Sequence, residues 1–248
     1  MYAAKLGDRK MDSLDTFMQT RPPTANRPLL GLTVLVVEDS RFASEAMRLL
    51  CLRSGARIRR ADTLQSAQRH LAVYRPSAAI IDIGLPDGSG VDLIRDLTHT
   101  SPRVDVVLGT SGDPDGEGRA LKAGADAFIA KPILNITFFQ SKILEHLPKD
   151  RQPKGLRIMS DDVIVPDRVA FRDDLTAAAV ALEDAANAHT LQYVTQFLGG
   201  LARSVDDARL EKETETLAHM QTAGDAVNSQ VKRITDMVQD RISRTAPI

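Results

Sequence analysis

Four short stretches each end an apolar run on residues that can do chemistry. Glu38-Asp39 follow "TVLVV", Asp82 follows "AAII", Thr110-Ser111 close "VDVVLGTS", and Lys131-Pro132 follow "AFIA". An ionised carboxylate at the end of a buried strand is costly unless something there needs it. Carboxylates gathered in one place repel one another, and a divalent cation relieves that repulsion. Oxygen-only ligands suit Mg²⁺, which also keeps several waters. A carboxylate beside Mg²⁺, a hydroxyl and a lysine is equipped to accept a phosphoryl group. The metal and Lys131 would neutralise the developing charge, and the chemistry would be mostly positioning plus electrostatics.

Such a site needs a scaffold that brings these ends together. From 33 to 147, short apolar runs alternate with amphipathic segments. Strands are predicted at 33–38, 56–61, 78–82, 104–111 and 127–131. Helices are predicted at 41–54 (ending at Gly55), 64–74, 91–97, 115–124 (weak) and 138–147. Five strand–helix repeats with continuous apolar strands predict an α/β fold: a five-stranded parallel, doubly wound, flavodoxin-like sheet covered on both faces. Functional groups in such sheets gather at the carboxyl ends of the strands.

The residues "VVEDS", "IIDIGLPDGSG", "LGTSG" and "AKP", in this order, resemble the receiver domain of two-component response regulators, of the chemotaxis-receiver kind, over about 32–148. The resemblance implies that Asp82 is the phosphoacceptor. It implies Asp39 as a direct Mg²⁺ ligand, Glu38 acting through water, and the Gly84 carbonyl completing the metal set. Thr110 would hydrogen-bond the phosphoryl group, Lys131 would ion-pair with it, and Phe128 would be the switch aromatic. A histidine kinase or a histidine phosphotransferase would be the donor. Such a protein assists only its own phosphorylation and dephosphorylation. Haloacid-dehalogenase-like phosphatases also use a strand-end Asp, but they carry a second Asp two residues later, where this chain has Gly84. Gly84 and Gly112 are smaller than the residues many family members carry, which leaves the phosphoryl position accessible to water or a partner.

The remainder of the 248 residues is less specific. Hydrophobic residues make up 43% and charged residues 26%, as in soluble, core-forming chains. No run approaches a membrane span and the first twenty residues lack an apolar block, so a cytoplasmic protein without a membrane partner is expected. Cys51, the single cysteine, lies in an apolar stretch and reads as core packing. Residues 1–30 form an extension in which Met11, Leu14, Phe17 and Met18 share a helical face; a short docking helix and a loose tail both fit. The reading places the receiver at 31–148, a Pro- and Lys-rich linker at 149–160, and an all-α output or dimerisation module at 161–248.

In that module apolar residues recur at helical spacing: Leu191, Val194, Leu198, Leu201 and Val205, then Val227, Val231, Ile234, Val238 and Ile242. Two long helices turning near 204–207 fit. So do three or four shorter ones, broken at Gly199-Gly200 or at "TAGDA". Stripes of this kind, left exposed in a monomer, predict a homodimeric bundle. Beyond 160 there are nine Lys/Arg against fifteen Asp/Glu, a balance opposite to that of a DNA-reading domain. The expectation is therefore an output that binds a protein partner and not DNA, with a transcription-factor output the less favoured alternative. The stretch "HTLQYVTQFLGGLARSVDD" is loosely similar to the dimerisation-and-phosphotransfer modules of histidine kinases. That raises His189 as a second phosphoacceptor, though the usual charged neighbour is missing; His219 is a weaker candidate. Gln192 and Gln196 are candidates for a phosphatase function of the same helices.

Overall fold

Strands with apolar residues on both faces need cover on both sides. β1 (Thr33–Val37) sends Val34 and Val36 to one face and Leu35 and Val37 to the other, all fully buried. The computed structural model describes residues 22–153, 162–184 and 187–244, so the 11–18 stretch of the expected N-terminal helix and most of the linker lie outside the described residues. β2 (Arg57–Ala61), β3 (Ala78–Asp82), β4 (Val106–Ser111) and β5 (Ala127–Ala130) complete a five-stranded sheet in the order β2-β1-β3-β4-β5, parallel throughout. The fold expected for this half is the fold observed. Edge strand β2 turns Arg57, Arg59 and Arg60 outward, which discourages pairing with another chain.

Helices α1 (Arg41–Ser54) and α5 (Ile136–His146) cover one face, where Met47, Leu50, Cys51, Phe139 and Ile143 pack on Val34, Val36, Ile80 and Leu108. Burial pushes the Cys51 thiol up to about 12, in keeping with a packing residue. Helices α2 (Leu64–Leu71), α3 (Gly90–His99) and α4 (Gly116–Lys122) cover the other face through Ala67, Leu93, Ile94, Leu97 and Ala120. α1 starts where Ser40 Oγ accepts the Ala43 N–H at 3.0 Å and stops at Gly55, whose φ of 87° suits glycine.

Beyond the sheet, the described residues form four helices: α6 (Arg168–Glu183), α7 (Ala188–Ser204), α8 (Ala208–Ala223) and α9 (Asn228–Arg244). The turn near 204–207 is present, and Gly224 ends α8 in the left-handed conformation. Gly199-Gly200, read as a break, lie inside the continuous α7. There the missing side chains permit close packing, since a Cβ at Gly199 would sit 3.3 Å from Thr214 Oγ1 on α8.

The homodimer expectation rested on exposed stripes, and the structure removes that ground. Leu191, Val194, Leu198, Leu201, Ile234 and Val238 are buried within one chain, in a cluster with Leu175, Leu182, Leu210 and Leu217. These four helices cover one another's stripes where a two-helix hairpin could not. Phe42 of α1 belongs to the same cluster and meets Phe171 edge-on, with ring centres 5.7 Å apart, so the helices are seated on the sheet domain. Among the described residues no helix is long and apolar enough to cross a membrane.

Candidate functional site

The register of the parallel sheet places every strand end on one edge. Asp82 pairs with Thr110 and Ile81 with Gly109 between β3 and β4, while Val37 lies beside Ile81 between β1 and β3. Glu38, Asp39 and Asp82 each offer an oxygen, and these oxygens lie within 4.8 Å of one another. Lys131 reaches across from the end of β5. Its Nζ is 2.6 Å from Asp82 Oδ2 and 2.7 Å from Glu38 Oε2, with the side chain only 11% exposed.

Burial raises the Glu38 carboxyl to about 8 against the pull of Lys131, with Asp82 and Asp39 adding to the rise. Burial likewise lifts Asp39 to about 6, partly offset by Lys131. For Lys131, burial opposes the charge, but the three carboxylates outweigh it and hold the ammonium above its ordinary value. A buried, oxygen-only cluster with more negative charge than one lysine balances fits a small divalent cation.

The surrounding loops are tied by residues of "LPDGSG". Asp87 accepts the backbone N–H groups of Leu64 at 2.8 Å and Gln65 at 3.0 Å, fixing the loop to the start of α2. Gly90 lies so close to the strand end that a Cβ there would stand 1.9 Å from the Asp82 carbonyl oxygen. Only glycine fits. The Gly84 N–H donates to Asp82 Oδ1 at 3.1 Å and orients that carboxylate. Thr110 is fully buried, and its hydroxyl donates to the Ile129 carbonyl at 2.7 Å; to meet a phosphoryl group it must turn from that partner. Phe128 is half-buried against the cluster on the α2–α4 side, with its ring tip 3.2 Å from where a Cβ on Gly116 would be.

The second wall of the site comes from the helices. A cavity of about 300 Å³ is lined by Asp39, Asp82, Ser111, Gly112 and Lys131 on one side and by Tyr193, Gln196, Gly200 and Arg203 of α7 on the other. The Tyr193 hydroxyl donates to Asp39 Oδ2. Burial, and then the charge of Asp39, raise the phenol above its ordinary value, so it stays a donor. At the same seam Asp174 of α6, 2% exposed, caps the foreign helix α1. It accepts from Ser40 Oγ at 2.7 Å, the Arg41 N–H at 2.8 Å and the Phe42 N–H at 3.0 Å. Tyr193, Asp174 and Arg203 were not singled out from the sequence, where nothing distinguishes them from other polar residues on a helix face. Of the earlier candidates, Gln196 lines the cavity. His189, Gln192 and His219 are exposed and do not line it.

Residues 34–141 match the response regulator receiver domain family. This part of the chain is a receiver domain. Among similar proteins, the KDP operon transcriptional regulatory protein KdpE of Escherichia coli K12 is 37% identical over 99 residues, 40% of this chain and 44% of that protein. The virulence transcriptional regulatory protein PhoP of Salmonella typhimurium is 30% identical over 102 residues, 41% of this chain and 46% of PhoP. The chain thus spans less than half the length of these relatives.

Among solved structures, a receiver domain protein from Methanospirillum hungatei is 25% identical with a TM-score of 0.42, covering 46% of this chain and 91% of that one. The receiver of the sensor kinase PA1611 from Pseudomonas aeruginosa, which has a magnesium ion in its active-site cleft, is 21% identical with a TM-score of 0.42. It covers 46% of this chain and 96% of that one.

The similarity to KdpE and PhoP corrects one expectation. Both are transcriptional regulatory proteins, so the expectation that DNA is excluded as a partner does not stand. The physical weakness of that expectation is plain. A segment's charge balance averages over all its faces, whereas a nucleic-acid contact needs only a local cluster of cations.

Proposed function

We propose that the chain is a phosphorylation-controlled response regulator in which Asp82 accepts a phosphoryl group from the phosphohistidine of a histidine kinase or phosphotransferase. We divide it into an extension (1–30), the receiver (31–148), a linker (149–160) and a helical module (161–248) whose contacts respond to that event. The observation that carries the reading is the Asp82 carboxylate at the sheet edge, 2.6 Å from the Lys131 ammonium and grouped with Glu38 and Asp39. In this reading Asp39, Asp82 and the Gly84 carbonyl would hold Mg²⁺, with Glu38 contributing through water. Bound Mg²⁺ would supply charge neutralisation for the entering phosphoryl oxygens.

An Asp82 oxygen attacks phosphorus, the phosphorus–nitrogen bond to the donor histidine breaks, and the imidazole leaves with its electron pair. Lys131 balances the charge left on Asp82. Thr110 turns from the Ile129 carbonyl to donate to a phosphoryl oxygen, and the Phe128 ring shifts from its place beside Gly116 in response. Supporting a second reading, Gln196 lines the same cavity as Asp82. In that reading its carboxamide orients a water that attacks phosphorus, releasing phosphate and restoring Asp82. Treatment with acetyl phosphate and Mg²⁺, followed by intact-protein mass spectrometry, tests the main reading. The wild type should gain one phosphoryl group and Asp82→Ala none; equal incorporation overturns it. For the second reading, Gln196→Ala should lengthen the lifetime of the aspartyl phosphate.

A further inference from the structure

Three cations among the described residues line the cavity: Lys131, Arg119 and Arg203. Lys131 is held between Asp82 and Glu38, and Arg119 is bonded to Asp113. Arg203, in the last turn of α7, is engaged far more weakly. Its ion pair with Glu211 spans 3.6 Å, and its buried Nε has no hydrogen-bond partner. A desolvated guanidinium N–H without an acceptor is an unfavourable feature unless an acceptor arrives.

The seat of this side chain is Gly112, two residues beyond Thr110. A Cβ at Gly112 would stand 3.0 Å from Arg203 Nη2, 3.5 Å from Nε and 3.4 Å from the Gly200 Cα. Glycine therefore leaves the space that the guanidinium and the α7 backbone occupy, on the receiver loop that flanks the phosphoacceptor cavity. A guanidinium fork matches the oxygens of a phosphoryl group and binds them through parallel charge-assisted hydrogen bonds.

We propose that Arg203 is a phosphoryl-binding residue, supplied by the helical module to the receiver of its own chain, which takes oxygens of a phosphoryl group on Asp82 together with Lys131. The inference rests on the reading of Asp82 as phosphoacceptor. Its consequence is that the module contacts the phosphoryl group itself, and phosphorylation tightens the end of α7 against the Gly112 loop.

The test uses the full-length chain with Mg²⁺ and beryllofluoride as the stand-in for a phosphoryl group, with affinity read by calorimetry. Arg203→Gln should bind beryllofluoride about tenfold more weakly than wild type, and Arg203→Lys should fall between them. Glu211→Gln, which frees Arg203 from its ion pair, should bind as well as wild type or better. Amide exchange over 200–205 should slow on adding beryllofluoride to wild type and not to Arg203→Gln. Unchanged affinity in Arg203→Gln overturns the proposal. An equal loss in Glu211→Gln also overturns it, since the ion pair to α8 would then be the cause. If Asp82→Ala binds beryllofluoride like wild type, the reading of Asp82 itself fails, a result distinct from either of these.

Discussion

At Asp39 a hydrogen bond draws on the same carboxylate charge that a cation would use. The Tyr193 hydroxyl occupies its Oδ2, and the same group belongs to the acidic cluster suited to a cation. Removing the hydroxyl frees that oxygen. Tyr193→Phe should therefore tighten Mg²⁺ binding roughly fivefold, the equivalent of one hydrogen bond of about 1 kcal/mol, measured by calorimetric titration of the full chain. Asp174 carries a different kind of burden. It accepts three hydrogen bonds at the start of α1 while almost completely buried, and burial raises its carboxyl above the ordinary value. Asp174→Ala would leave those donors without an acceptor, at a cost of about 3 kcal/mol. Chemical denaturation read at the helical signal checks the figure, and a loss under half that size would show that water replaces the carboxylate.

At the scale of elements, the connection from α7 to α8 is held by Asp207. Its Oδ1 accepts the Leu210 N–H at 3.0 Å, capping α8, and its two oxygens receive the Arg241 fork from α9. The Arg241 guanidinium holds the Asp207 carboxyl below its ordinary value of 3.8. A carboxyl depressed on folding stabilises the fold above the unfolded value. That contribution is lost as pH falls through the lower folded value, where the unfolded chain has already taken up its proton. Asp207→Asn keeps the cap but loses the charged fork, and should cost about 2 kcal/mol at neutral pH. The gap between variant and wild type should narrow steadily below pH 3.8. A gap that stays constant down to pH 2.5 would mean that charge is not what Asp207 contributes.

At the scale of the whole chain, the described residues form three apolar clusters, two flanking the sheet and one among the C-terminal helices. Among the described residues, Phe42 is the buried receiver side chain that joins the third. Leu198 is fully buried and belongs to that cluster, not to either cluster flanking the sheet. Leu198→Ala should cost about 2–5 kcal/mol and lower the helical transition while leaving a separate transition for the sheet. Two-probe denaturation, following helical content and a receiver-specific signal, tests this. Coincident transitions shifted together would show that the seam through Phe42, Asp174 and Tyr193 makes the chain one cooperative unit.

Much of the receiver was legible from residue order because parallel strands buried on both faces write themselves as short apolar runs. The chemistry-bearing residues must then follow each run, as Glu38, Asp39, Asp82, Thr110 and Lys131 do. Helix periodicity likewise marked Leu191, Val194, Leu198 and Leu201 as one buried face. It could not say what buries that face, because the same stripe satisfies a second chain, a neighbouring helix or the sheet domain equally well. Only the tertiary structure decided that the stripe closes within four helices of one chain. It also decided that α7 then turns Tyr193, Gln196 and Arg203 toward the strand ends, and that the Thr110 hydroxyl points to Ile129. The seating of the helices on the strand ends depends on contacts between residues more than a hundred positions apart, such as Asp174 with Ser40 and Tyr193 with Asp39. Local pattern carries no trace of such pairs, since each side chain on its own is an ordinary polar residue on a helix surface.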